Sequence, residues 1–200
     1  MFRRTLLAAL LVSVPALAQP AAAPDCTVDV QLTGRGDLGL EVAYRCRATQ
    51  PLAFEAGEAR AAAYVTDLKV EQGNGLAEAR YRFNLSDFAR AVDSTSLAVQ
   101  RGNGVLATLG SWLLEPHGYD RPPVIDIRVT NGPGLVFTSG LPKVGDAWRL
   151  AGTTVRFAGY TALGRLTYRE LAVPAPGSLR SGQPAAQAVL RVALLDGVAE

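Results

Sequence analysis

Histidine, cysteine and lysine are scarce in this chain. Of its 200 residues one is a histidine, His117, two are cysteines, Cys26 and Cys46, and two are lysines, Lys69 and Lys143. A structural zinc site takes four Cys or His ligands and a catalytic one about three, usually with more than one histidine. The chain cannot supply either set, so an autonomous metalloenzyme is not expected, and no metal, cofactor or catalytic residue is assigned from the sequence. Runs of basic residues are also missing. The 20 Lys and Arg against 18 Asp and Glu become 18 against 18 once Arg3 and Arg4 are set aside as part of a removable leader. A neutral chain without a basic run has no electrostatic footprint for nucleic acid or an anionic membrane. The glycine clusters at 73 to 75, 102 to 104 and 132 to 134 lack GxGxxG or P-loop spacing and read as turns. No apolar run approaches the roughly 20 residues that span a bilayer.

What is present is apolar substance and turn chemistry. Hydrophobic residues make up 48% and charged residues 19%, with 20 Gly and 12 Pro. That supports one buried core interrupted by many turns. Residues 1–18 open with Arg3-Arg4, run apolar from Leu6 to Val14 and close on Ala16-Leu17-Ala18, the pattern of a secretory signal peptide cleaved near Ala18; a membrane anchor is the rival reading. Residues 19–24 read as a tether. The expected location is periplasmic or extracellular.

Cys26 to Leu32 and Leu40 to Cys46 both alternate apolar and polar residues, the period of a half-buried strand. With a turn centred on Gly36, Leu32 faces Leu40, Val30 faces Val42, Val28 faces Tyr44 and Cys26 faces Cys46. An oxidising compartment then predicts a Cys26–Cys46 disulfide contributing about 3 kcal/mol, with free thiols as the alternative. Asn74-Gly75 marks a second hairpin, because both positions of a type I′ turn need positive φ. Counting outward pairs Val70 with Ala79, Leu68 with Tyr81, Thr66 with Phe83 and Tyr64 with Leu85. Asp67, Lys69, Glu71, Glu78, Arg80 and Arg82 fall on the other face and read as solubility rather than a site, with Glu71 opposite Glu78.

Leu85 to Val92 reads as a helical turn capped by Ser86. Strands follow at Ser96–Gln100, Val105–Leu109, Ser111–Pro116, Val124–Val129, Leu135–Thr138, Thr153–Tyr160 and Leu163–Val173. Trp112, Trp148, Tyr81, Phe83, Phe137 and Phe157 read as core. Strands every 8 to 12 residues indicate an all-β fold, an antiparallel β-sandwich over residues 25–173. Residues 174–184 read as a Pro/Gly/Ser-rich linker. Residues 185–200 read as the start of a following element, strand or helix, in a chain whose end looks interrupted.

From Arg80 to Thr161 the order of segments resembles the amino-terminal β-domain of secreted gluzincin peptidases, most like the glycyl aminopeptidase family. The resemblance rests on Tyr81-Arg-Phe-Asn-Leu-Ser-Asp-Phe-Ala-Arg90, Ser111-Trp-Leu-Leu-Glu-Pro116 with its HGYDRPP loop, Gly134-Leu-Val-Phe-Thr-Ser-Gly-Leu-Pro142 and Arg156-Phe-Ala-Gly-Tyr160. It implies a β-sandwich packed against a zinc-dependent catalytic domain, where the family keeps its HExxH helix. This sequence has no HExxH and no Trp-Pro-Gly segment. The function it implies is therefore non-catalytic: a β-domain that supports a catalytic peptidase domain or partner protein and positions a peptide for it.

Two catalytic constellations can be drawn around His117. Ser111, His117 and Asp120 could form a triad, and Glu115 with Asp120 an acid and base pair, but the loop has no nucleophile elbow and two acids flanking a loop are usually solvated. His117, Tyr119, Asp120 and Arg121 make the candidate interaction loop, since side chains beside rigid prolines lose little entropy on contact. The competing reading is a loop that merely crosses the end of the sandwich. The alternative function is a stand-alone binding module using this loop.

Overall fold

The computed structural model describes residues 23–34, 37–174 and 187–195. The expected signal segment 1–18, most of the tether 19–24, the turn residue Gly36 and the linker 174–184 beyond Pro174 lie outside these residues. The chain folds as β1 (Cys26–Thr33), β2 (Gly39–Arg47), β3 (Ala53–Ala56), β4 (Val65–Gly73) and β5 (Leu76–Asn84), followed by α1 (Leu85–Val92). Next come β6 (Ala98–Arg101), β7 (Gly104–Thr108), β8 (Leu114–His117), β9 (Ile125–Asn131) and β10 (Val136–Ser139). The chain continues through β11 (Lys143–Val144), β12 (Ala147–Leu150), β13 (Tyr160–Gly164), β14 (Leu166–Pro174) and β15 (Gln187–Leu195).

The fold is all-β. A seven-stranded sheet runs β11-β12-β9-β1-β2-β5-β4, and a four-stranded sheet runs β10-β13-β7-β6. Both contribute to one core: Val28, Val30, Phe83 and Ile127 from the large sheet are buried in the same cluster as Val105, Ala107, Phe137 and Leu163 from the small one. Two short ladders, β3-β8 and β14-β15, complete the strands. Residues 187–195 are thus strand, paired back onto β14 from Leu166↔Leu195 to Pro174↔Gln187.

Local alternation sets the β1–β2 hairpin in the expected register, Cys26↔Cys46 through Leu32↔Leu40, and the two cysteines are disulfide-bonded. β1 has a second neighbour that alternation cannot reveal. It pairs in parallel with β9, Cys26 against Ile125, so the large sheet is mixed rather than purely antiparallel.

The β4–β5 hairpin turns at Asn74 (φ 53°) and Gly75 (φ 75°), both left-handed as a type I′ turn needs, and keeps the expected Val70↔Ala79 and Glu71↔Glu78 pairs. Beyond Lys69 the expected register is wrong. A bulge between Thr66 and Lys69, with Asp67 at φ 55°, puts Val65 and not Thr66 opposite Phe83. Tyr64 lies in a 3₁₀ turn and Leu85 in α1, so they are not a strand pair.

Other corrections have local causes. Asn84 and not Ser86 caps α1, its side chain accepting from the Asp87 N–H, while the buried Ser86 hydroxyl accepts from the Leu38 N–H at 2.8 Å. A 3₁₀ turn occupies Leu109–Ser111, so β8 begins at Leu114 rather than at Ser111. Val155–Phe157 is likewise a 3₁₀ turn and not strand. That turn points Phe157 outward, 74% exposed, whereas Trp112, Phe83, Tyr81 and Phe137 are buried as expected.

Two buried tyrosines tie the sheet to the β8 approach. The Tyr44 hydroxyl donates to the Leu114 carbonyl at 2.6 Å, and the Tyr81 hydroxyl donates to the Trp112 carbonyl at 2.8 Å. Burial pushes both hydroxyls above the ordinary phenol range. The unfolded chain releases these protons near pH 10 while the folded one retains them, so their stabilisation is complete below that pH and declines as pH rises past it. Each should cost the folding equilibrium about tenfold per pH unit above pH 10. Urea unfolding from pH 9 to 11 should show a steeper decline for the native sequence than for Tyr81→Phe. Equal slopes would rule out this account.

Candidate functional site

The segment after β8 was the sequence's candidate interaction loop, and most of its polar atoms are spent on its own fold. The Tyr119 hydroxyl donates to the Arg47 carbonyl at 2.8 Å, and burial raises its proton affinity. Arg121 pairs with Asp25 at 3.0 Å, and the same carboxylate accepts the Val124 N–H at 2.8 Å. The loop is therefore stitched across the ends of β1 and β2. His117 closes β8 opposite Ala53, half exposed, with Nε2 3.8 Å from the Glu55 carboxylate. Asp120 is exposed.

Gly118 explains how the loop turns. Its φ is +123°, and a Cβ there would lie 2.9 Å from Leu52 Cδ2 and 3.0 Å from the Pro51 carbonyl oxygen. Gly118→Ala should cost more than about 1 kcal/mol, because strain and overlap add. His117→Ala should change stability by less than about 0.5 kcal/mol. A chemical-denaturation series on both variants checks the contrast, and a silent Gly118→Ala would mean the loop is not held as described.

The catalytic constellations do not assemble. The buried Ser111 hydroxyl donates to the Leu97 carbonyl at 3.0 Å and lies 2.6 Å from Thr108 Oγ1, so its hydrogen bonds go to residues before the 3₁₀ turn and not to His117. Glu115 faces Glu55 across the β3–β8 ladder. Among the described residues no group of three or more His, Cys, Asp or Glu could hold a metal ion.

A broad depression lies elsewhere, on the outer face of the large sheet, open to solvent and about 960 Å³. The charged residues that the sequence assigned to solvation line it, and the register arranges them in rows. One row reads Arg149, Asp126, Thr27, Arg45, Glu78, Glu71 across six strands. The next reads Arg128, Asp29, Ala43, Arg80, Lys69.

Most of these charges are matched. Arg149 grips the buried Asp126 through two hydrogen bonds at 2.6 and 2.7 Å, which raises the guanidinium's proton affinity. Arg45 meets Glu78 at 2.9 Å, and Arg82 meets Glu41 at 3.2 Å and Asp67 at 3.4 Å. On β4 two like-charged pairs stand directly opposite, Lys69 with Arg80 and Glu71 with Glu78. Lys69, Arg80 and Glu71 form no ion pair among the described residues. Alternation in β4 and β5 alone exposes the Glu71–Glu78 mismatch. The row that isolates Arg80 beside Ala43 needs the β2–β5 register, which no local signal carries.

No family model matches this chain, and no curated protein matches it. Among solved structures it is similar to the crystal structure of an M1 zinc metallopeptidase from Deinococcus radiodurans, with 12% sequence identity and a TM-score of 0.32. The match covers 84% of this chain and 45% of that one, so the chain spans less than half of that peptidase's length. Among the described residues no helix is long and apolar enough to cross a membrane.

Proposed function

We propose that this chain is a secreted, non-catalytic β-sandwich of the kind that supports a zinc-peptidase catalytic domain and positions peptide for it. The observation that carries the reading is where the segments resembling the glycyl aminopeptidase β-domain meet. Tyr81 donates to the Trp112 carbonyl, the Trp112 indole N–H donates to Thr161 Oγ1 at 3.0 Å, and the Trp112 ring meets Phe137 edge-on at 6.2 Å. Tyr81, Phe137 and Thr161, the last just past the Arg156–Tyr160 segment, thus converge on one buried tryptophan. The Tyr81, Trp112 and Thr161 polar groups are spent on the scaffold, as a supporting domain requires. Export by a leader cleaved near Ala18 belongs to the same reading, and the Cys26–Cys46 disulfide supports it.

The test is the mass of the native product in its own source, detected with an antibody to the β-domain. A product well above the mass of residues 19–200, carrying zinc and aminopeptidase activity that the purified 200-residue chain lacks, is the expected result. A product at the mass of residues 19–200 with no peptidase bound to it would overturn the supporting role. It would promote the second reading, a stand-alone binding module. The outer-face depression favours that second reading, since Arg80 offers an unmatched guanidinium on its floor.

A further inference from the structure

β4 is one of the two edge strands of the large sheet, and among the described residues no strand pairs with its outer edge, though the Gln72 side chain holds the Leu52 backbone at 2.8 Å. Outside the strand ladders, no backbone hydrogen bond among the described residues involves residues 66–73. The two-residue turn makes Gly73 and Leu76 a hydrogen-bonded pair, and such pairs alternate along an antiparallel ladder. Lys69, Glu71 and Gly73 therefore turn their N–H and C=O groups toward β5, and Leu68, Val70 and Gln72 turn theirs outward. Leu68 and Val70 are also 43% and 40% exposed.

We propose that β4 pairs antiparallel with β4 of a second copy of this chain, with a two-fold axis at Val70. An antiparallel self-pair can centre on a hydrogen-bonded or a non-hydrogen-bonded residue, but centring on Lys69 or Glu71 sets that residue against its own charge in the second copy, which leaves Leu68, Val70 and Gln72. Centring on Leu68 runs the ladder through the bulge between Thr66 and Lys69. Centring on Gln72 drives each strand into the other's Asn74-Gly75 turn. Centring on Val70 keeps the middle of the ladder, residues 69–71, in regular strand and meets the bulge only at its end. It pairs Val70 with Val70 of the second copy and Leu68 with Gln72 of the second copy.

The charges select the same register. Lys69 falls opposite Glu71 of the second copy, and Glu71 opposite its Lys69, in a non-hydrogen-bonded pair where side chains approach most closely. Within one chain these two residues face only like charge, Arg80 and Glu78. Like charges directly opposite are destabilising and opposite charges stabilising, so association converts both mismatches into alternating rows. The underside gains an apolar contact between the two exposed valines.

Sedimentation of the purified full chain over a concentration series tests this. The native sequence should show a monomer–dimer equilibrium, weakened about tenfold or more by K69E or by E71K. Neither change should harm folding, because each places opposite charges across the β4–β5 hairpin. Mixing the two variants in equal amounts should restore association, and the double change K69E/E71K should dimerise like the native chain. V70P removes only an outward N–H and should abolish the dimer with an unchanged circular-dichroism spectrum. A native chain that stays monomeric at its solubility limit, or a dimer indifferent to V70P and to both charge reversals, would overturn the proposal.

Discussion

Trp112→Ala should lower the unfolding free energy by about 3–5 kcal/mol, the range for truncating a large aromatic in a packed core. The side chain is 1% exposed, so its removal opens a cavity that neighbours from both sheets must share. It also breaks a relay, since the indole N–H donates to Thr161 Oγ1 at 3.0 Å and that hydroxyl donates onward to the Ala107 carbonyl at 2.9 Å. Phe137 loses its edge-on partner and keeps only Trp148, whose ring centroid is 4.8 Å away. Trp112→Phe should cost less, because it retains most of the ring volume and loses mainly the N–H bond. Phe157→Ala, at a 74% exposed site, should stay within about 0.5 kcal/mol. Urea midpoints for the three variants decide the matter. A Trp112→Ala loss below that of Trp112→Phe would show that the core is not organised around this residue.

Replacing both cysteines by alanine should cost about 3 kcal/mol, from the loop-closure entropy returned to the unfolded chain across a sequence separation of 20. Topology should survive. β1 remains paired on one side with β2 and on the other with β9, and the Cys26 N–H still has the Val124 carbonyl at 3.1 Å. The expected signature is therefore a lower midpoint with an unchanged circular-dichroism spectrum, reproduced by reducing the native chain. Loss of the strand spectrum on reduction would mean that the disulfide specifies the register rather than stabilises it.

The sequence made legible what is local. The β1–β2 register followed from alternation around one glycine turn, and the disulfide followed from that register. The β4–β5 turn followed from Asn74-Gly75, and its register failed where Asp67 enters a left-handed conformation with no glycine to announce it. Ser86 satisfies the local rule for a helix cap, yet a tertiary bond to Leu38 claims its hydroxyl and leaves the cap to Asn84. Phe157 reads as core because it sits at an alternating position of an expected strand, and a 3₁₀ turn there reverses it. The charged depression stayed hidden for another reason. Alternation placed its residues on one face, but the rows that make it a surface span strands from β12 to β4, and the hairpins within them are joined by long-range pairing. The loop after His117 showed its residues plainly, and not that Tyr119 and Arg121 were already engaged.

The parallel partnership of β1 with β9 also sets an order of assembly. Cys26 and Ile125 are 99 positions apart, while β2 lies one short turn away. A chain emerging amino-terminus first can close β1 onto β2, and β2 onto β5, early, but the opposite flank of β1 must wait until the segment through Asn131 has arrived. Distant pairings of this kind are slow to form, and an unfilled strand flank invites pairing with other chains in the meantime. During that interval the nascent molecule has a four-stranded sheet, β1-β2-β5-β4, open at both edges. β9 fills the β1 edge, and β12 and β11 then extend the sheet beyond it.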